Sequence, residues 1–157
     1  MWDRIAATVS EEFSDAPDLE QVTRILVRLL LAALVGGVLG YEREHHGHAA
    51  GLRTHMLVAM GAALFVMVPD LAGMEVADLS RVIQGVVAGI GFLCAGAIVK
   101  TSSAQRVHGL TTAAGIWMTA AIGVACGLGR EATAVLAAAL ALVVLGLLPR
   151  VVDPRPR

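Results

Sequence analysis

Apolar residues in this chain do not alternate or recur every third or fourth position. They run continuously, in five stretches separated by short polar or glycine-containing segments: residues 22–41, 52–71, 82–99, 110–128 and 132–148. Each is close to the roughly 20 residues that a helix needs to cross about 30 Å of hydrocarbon. Strands are a poor alternative, because leucine and small residues dominate and barrel strands are about half as long. In lipid every backbone N–H and C=O must be satisfied within the protein, which leaves helices. The pattern therefore predicts an all-α integral membrane protein, a bundle of five transmembrane helices. The second and fifth stretches are the weakest: Pro69 and Asp70 interrupt one near its end, and the other is short.

Ahead of the first span, Trp2, Ile5, Val9 and Phe13 recur at helical spacing opposite a polar face. This reads as an amphipathic helix lying at the membrane interface with Trp2 as its anchor, a frayed tail being the alternative. Pro17 breaks the segment. Asp18, followed three residues later by Gln21, then resembles a capping box that opens the first span. The chain divides into an interfacial segment (1–20), a transmembrane domain (21–149) and a basic tail (150–157).

Composition agrees with the pattern. Hydrophobic residues make up 57% and charged residues 16%, and the mean hydropathy is +0.74, whereas soluble domains hold roughly 45–50% and about 25%. A net charge of −1 offers no basic excess for nucleic acid. Cys94 and Cys126 lie inside apolar runs, so they form no secreted-type disulfide framework. Helical rise places them at different depths, which argues against a bridge between them. The acidic first twenty residues lack the basic start and short apolar core of a cleavable signal.

Lysine and arginine set the expected orientation. With the N-terminus outside, the inner segments carry Arg43, Arg53, Lys100, Arg106, Arg150, Arg155 and Arg157, and the outer ones Arg4, Arg24, Arg81 and Arg130; Arg28 falls within a span. The positive-inside rule then favours N-out and C-in. Within the spans, Gly36/Gly40, Gly85/Gly89 and Gly123/Gly127 are pairs of small residues four apart, and Ala134/Ala138 and Ala137/Ala141 repeat the pattern. Such pairs let helix backbones approach closely in lipid. Packing within one chain and a homodimer face are both open, and a homo-oligomer is expected.

Three stretches carry the most distinctive residues. The first is Gly40-Tyr41-Glu42-Arg43-Glu44, followed by Gly51-Leu52-Arg53-Thr54-His55. The second is Asp78, Arg81 and Gln84 leading into Gly89-Ile90-Gly91-Phe92-Leu93-Cys94-Ala95-Gly96. The third is Val107-His108-Gly109-Leu110-Thr111-Thr112-Ala113-Ala114, with Trp117 one turn on. Over about residues 25–130 these resemble the N-terminal transmembrane domain of the MgtC/SapB family of bacterial inner-membrane proteins, in a short form without the family's soluble C-terminal domain. Cys94 stands where that family usually has glycine. The resemblance implies a multi-pass inner-membrane bundle with an external N-terminus. It also implies a part in adaptation to low magnesium and, in virulence-associated members, to stress inside a host. Two mechanisms follow from it: regulation of other membrane machinery such as ATP synthase or cation pumps, or transport of Mg²⁺ or another solute.

Physical chemistry singles out much the same residues. Glu42, Arg43 and Arg53 lie near the inner ends of the first two spans, where a carboxylate between guanidiniums is partly desolvated. The group reads either as a clasp joining two helices or as a polar site at the cytoplasmic mouth. Thr111 and Thr112 join the candidate polar cluster. Arg28 is the deepest charge, about 9 Å into its span by helical rise, and its expected partners are Gln84 or Asp78. Arg24, one turn outward, is expected to snorkel toward the headgroups. Asp78 or Ser80 is expected to cap the third span, and Arg81, opposed to the helix dipole there, to pair with Asp78.

Gly36, Gly40, Gly85, Gly89, Gly91, Gly96, Gly123 and Gly127 are assigned to helix packing. Gly89-x-Gly91 lies inside an apolar run with no preceding strand, so it is no dinucleotide loop. His45, His46, His48 and His55 beside Glu42 and Glu44 offer metal-ligand chemistry, but a solvated loop is the preferred reading. No nucleophile–base pair, zinc signature or phosphate loop supports catalysis, and no cofactor is expected. Mg²⁺ favours carboxylate and water oxygens, yet the spans hold no central Asp or Glu. That favours a non-enzymatic regulator over a monomeric Mg²⁺ path. The expected partners are the bilayer, a second copy and a further membrane protein.

Overall fold

The structure, a computed structural model, describes residues 1–12, 18–101 and 106–146; the expectations for Phe13, Pro17 and the tail 150–157 lie outside them. The first element, α1 (Trp2–Glu12), is a helix with no buried residue, its apolar stripe open to the surroundings. Asp18 then sits in extended geometry and its carboxylate accepts the Gln21 N–H at 2.7 Å, which opens α2 (Leu19–His45). An N-cap of this kind is worth about 1 kcal/mol. Arg24 pairs with Glu20 one turn earlier, at 2.9 Å.

The other elements are α3 (Leu52–Leu71), α4 (Val76–Ala97), a hairpin of β1 (Val99–Thr101) and β2 (Arg106–His108), α5 (Leu110–Gly127) and α6 (Glu131–Gly146). Four helices, α2 to α5, are long and apolar enough to span a membrane; α6, at 16 residues, is shorter. The described chain is thus helical apart from one antiparallel hairpin, in which Val99 faces His108. The third span was placed at 82–99. The helix runs instead from Val76 to Ala97, because Glu75 occupies the N-cap position expected of Asp78 or Ser80, and Val99 belongs to β1. Asp78 falls in the first turn of α4, where a negative charge suits the helix dipole.

α3 packs against both α2 and α5, α6 lies on α2 and α5, and α4 rests on α5 and α3. The contacts at α3 are backbone to backbone. A Cβ added at Gly36 would stand 2.6 Å from the His55 carbonyl oxygen, and one at Gly40 2.7 Å from the Leu52 Cα. On the other side, Gly123 and Gly127 leave no room for a Cβ against the carbonyls of Ala59 and Ala63. Ala32, Leu39, Ile122, Cys126, Ala134 and Ala138 complete the core around Ala59 and Ala63. Cys126 is buried, Cys94 donates to the Ala113 carbonyl at 3.2 Å, and both thiols are free.

Four of the eight glycines assigned to packing are not packed within the described chain. Around Gly85, Gly89, Gly91 and Gly96 a Cβ would meet nothing within 4 Å. These residues lie on a helix whose only buried residue is Leu79. Their spacing matches that of the packed glycines, but among the described residues no backbone or side chain closes on them.

Gly123→Val is expected to destabilise the fold by about 1–3 kcal/mol through overpacking, read as a lowered melting temperature in detergent. Gly146→Ala, where nothing stands within 4 Å, is expected to leave the melting temperature unchanged or raised.

Candidate functional site

At the end of the bundle where α2 finishes and α3 and α5 begin, a polar cluster is buried among the three helices. Arg43 is 3% exposed, and its Nε lies 2.9 Å from Glu42 Oε2. The other carboxylate oxygen, Oε1, lies 3.1 Å from His46 Nδ1. His55, one turn into α3 and 1% exposed, has Nδ1 3.0 Å from the Gly51 carbonyl. Nδ1 is therefore the donor, and the lone pair sits on Nε2. That atom is buried and has no hydrogen-bond partner among the described residues. Thr112, in the first turn of α5, places its Oγ1 3.5 Å from His48 Nδ1.

Gly115 of α5 lies over this group: a Cβ there would make ordinary contacts, 3.6 Å from His55 Nε2 and 3.8 Å from Arg43 Cδ. Glu44 reaches across to α3, where its Oε2 accepts the Leu52 N–H at 2.8 Å. A carboxylate at a helix N-terminus meets both a free donor and the positive end of the dipole. Gly51 keeps that path open, since a Cβ there would run into the same carboxylate.

The buried ion pair is short of partners. Arg43 Nε and Nη1 and both Glu42 oxygens lack well-aligned hydrogen bonds, so charge attraction rather than a complete network holds them. Such a pair contributes little net stability, yet losing one member strands the other charge. Among the described residues, no three His, Cys, Asp or Glu are arranged to hold a metal ion.

The opposite end is held by Arg28. Its Nη1 donates to the Gly127 carbonyl at 2.8 Å and lies 3.4 Å from Asp70 Oδ2. This corrects the expected partnership with Gln84 or Asp78. α2 packs on α3, α5 and α6, so the last turns of α3 and α5 are what its guanidinium meets. A cation at the C-terminus of α5 also complements the dipole. Asp78 pairs with Arg81 at 3.2 Å, as its spacing suggested, on an exposed surface.

Of the candidate polar residues, the structure gathers Glu42, Arg43 and Thr112 at one end and sets Arg28 at the other. Arg53, Thr111 and Gln84 are exposed and stand outside the cluster. The clasp between α2 and α3 is made by Glu44 instead of Arg53, because the first turn of α3 turns Arg53 outward and presents its free N–H to Glu44. The sequence reading named Glu44 but not its bond to the start of α3, and it missed Gly115 and the burial of His55. One signal was present: Glu44 precedes the start of an apolar run by eight residues, within reach of its free N–H groups.

Residues 29–153 match the MgtC family. The chain belongs to that family. It is 54% identical over 113 residues to Protein SrpB of Synechococcus elongatus, covering 65% of this chain and 62% of that one. It is 42% identical over 127 residues to the Escherichia coli protein named "Putative magnesium transporter YhiD", covering 76% and 58%. To Protein MgtC of Brucella abortus it is 44% identical over 117 residues, covering 74% and 48%. The chain therefore spans about half to three fifths of the length of these curated relatives. No solved structure matches it.

Arg43→Met is expected to destabilise this MgtC-family bundle by up to about 3–5 kcal/mol, because Glu42, largely buried, keeps only the His46 ring beside it. The double variant Glu42→Gln/Arg43→Met should recover most of that loss. Thermal melts of these two variants and of Glu42→Gln, arranged as a double-mutant cycle, give the coupling; a loss in the double variant equal to the sum of the two single losses would show that the side chains act independently.

Proposed function

We propose that this protein is a non-enzymatic, multi-pass regulator in the bacterial inner membrane, with its N-terminus outside and its C-terminus inside. In this reading it helps the cell adapt to low magnesium or stress by acting on other membrane machinery, such as ATP synthase or cation pumps, through helix-to-helix contacts. The observation that carries it is the closed interior: α3 meets α2 and α5 backbone to backbone along Gly36, Gly40, Gly123 and Gly127. The charges inside are confined to the two ends, Glu42 with Arg43 and Arg28 with Asp70. A Mg²⁺ ion, which holds octahedral oxygen ligands and gives up water reluctantly, finds no row of carboxylates between them. The orientation rests on the excess of Lys and Arg in the segments assigned to the inside.

The rival reading is transport, supported by the relative named for magnesium transport. Proteoliposomes holding the full chain distinguish the two. Regulation predicts fluxes of Mg²⁺, Na⁺ and protons no greater than in protein-free vesicles. A Mg²⁺ flux that disappears in Glu42→Gln would replace regulation with transport. For the orientation, Asp3→Cys should react with a membrane-impermeant maleimide in intact cells once the outer membrane is permeabilised, and labelling only after lysis would reverse it.

A further inference from the structure

Between α3 and α4 runs an apolar groove of about 600 Å³, lined by Leu57, Gly61 and Phe65 on one side and Gly85, Gly89 and Leu93 on the other. It borders a stripe along α4. At about 100° per residue, Asp78, Arg81, Gly85, Gly89, Phe92 and Gly96 all fall within about 40° of the direction of Gly85. The stripe holds a charged pair at one end, small residues along its length and a single large knob, Phe92, which is 83% exposed. Lipid-facing helices ordinarily show bulky apolar side chains, and α4 does so elsewhere. This face instead exposes its backbone.

The two sides of the stripe differ. Arg81 and Phe92 lie to one side of Gly85, and Asp78, Gly89 and the groove lie to the other. A two-fold axis along the membrane normal turns one copy so that the first side meets the second side of its mate at the same depth. Arg81 then faces the mate's Asp78, and Phe92, about 4.5 Å along the helix from Gly89 by its rise, faces the mate's groove. Charge and shape are both self-complementary under the same operation. An acyl chain would fill the groove but would leave Phe92 and the Asp78–Arg81 pair without a role.

We propose that this face is a self-association surface, with α4 of a second copy packed on the glycine stripe and Phe92 of each copy seated in the groove of the other. The proposal goes beyond the regulatory reading, since it holds equally for a transporter, and its test does not depend on any activity. The full chain, labelled separately with donor and acceptor dyes and mixed in lipid vesicles, should show energy transfer that saturates as a dimer. Phe92→Ala and Gly89→Leu should each weaken association at least tenfold. Phe92 is 83% exposed and a Cβ at Gly89 meets no described atom within 4 Å, so the melting temperature should not fall in either variant. Arg81→Asp should weaken association, and the exchanged variant Asp78→Arg/Arg81→Asp should restore it.

Three results would overturn the proposal: no transfer at any protein-to-lipid ratio, a dimer untouched by both Phe92→Ala and Gly89→Leu, or a monomer whose groove releases a bound lipid on Gly89→Leu.

Discussion

The bundle depends on how closely the α3 backbone approaches its neighbours. In lipid no hydrophobic force drives helices together, so packing and weak Cα–H···O contacts must hold them. Those interactions fall away steeply with distance. Gly36 and Gly40 bring α2 onto α3, and Gly123 and Gly127 bring α5 onto its other side against Ala59 and Ala63. Because the three backbones are nearly in contact, the middle of the bundle has no space for polar side chains larger than Thr119, whose hydroxyl returns to its own helix at Gly115. Among the described residues the buried charges stand at the two ends.

The ends are tied by the longest helix. α2 runs 27 residues, and side chains from its two halves reach both neighbours. Near its start Arg28 meets the last turns of α3 and α5, and near its finish Glu44 meets the first turn of α3. Each contact joins a side chain to a helix terminus whose backbone groups have no intrahelical partner. Cation and anion are each placed at the dipole end that favours them. The buried Glu42–Arg43 pair lies beside the second of these ties. Removing either residue therefore affects the junction of three helices rather than one local bond.

Much of this was legible in the sequence. The continuous apolar runs located the helices, Asp18 and Gln21 marked the start of α2, and the spacing of Asp78 and Arg81 gave their ion pair. Small-residue pairs were equally visible on α2, α4 and α5, but a spacing says nothing about what stands opposite. Gly123 and Gly85 read alike in the sequence, yet one touches α3 and the other is open. The partner of Arg28 was illegible for a similar reason: depth along a helix does not fix which neighbour a long side chain meets. Strands of three residues are too short to leave a period, so the hairpin before α5 gave no sign. His55 was read with the loop histidines because polarity alone does not separate a solvated ring from one turned under a neighbouring helix.

One contact ties the history of two distant positions together. Gly129 has φ +68°, and a Cβ there would stand 2.5 Å from the Arg28 guanidinium. A larger residue at 129 would make the end of that side chain shift as well as strain its own backbone. Losing Arg28 would lift the steric bar but not the conformational one, which glycine and, less readily, asparagine satisfy. Position 129 should therefore admit only a narrow alphabet, and admit it more readily where position 28 has already lost its arginine and the tie it makes.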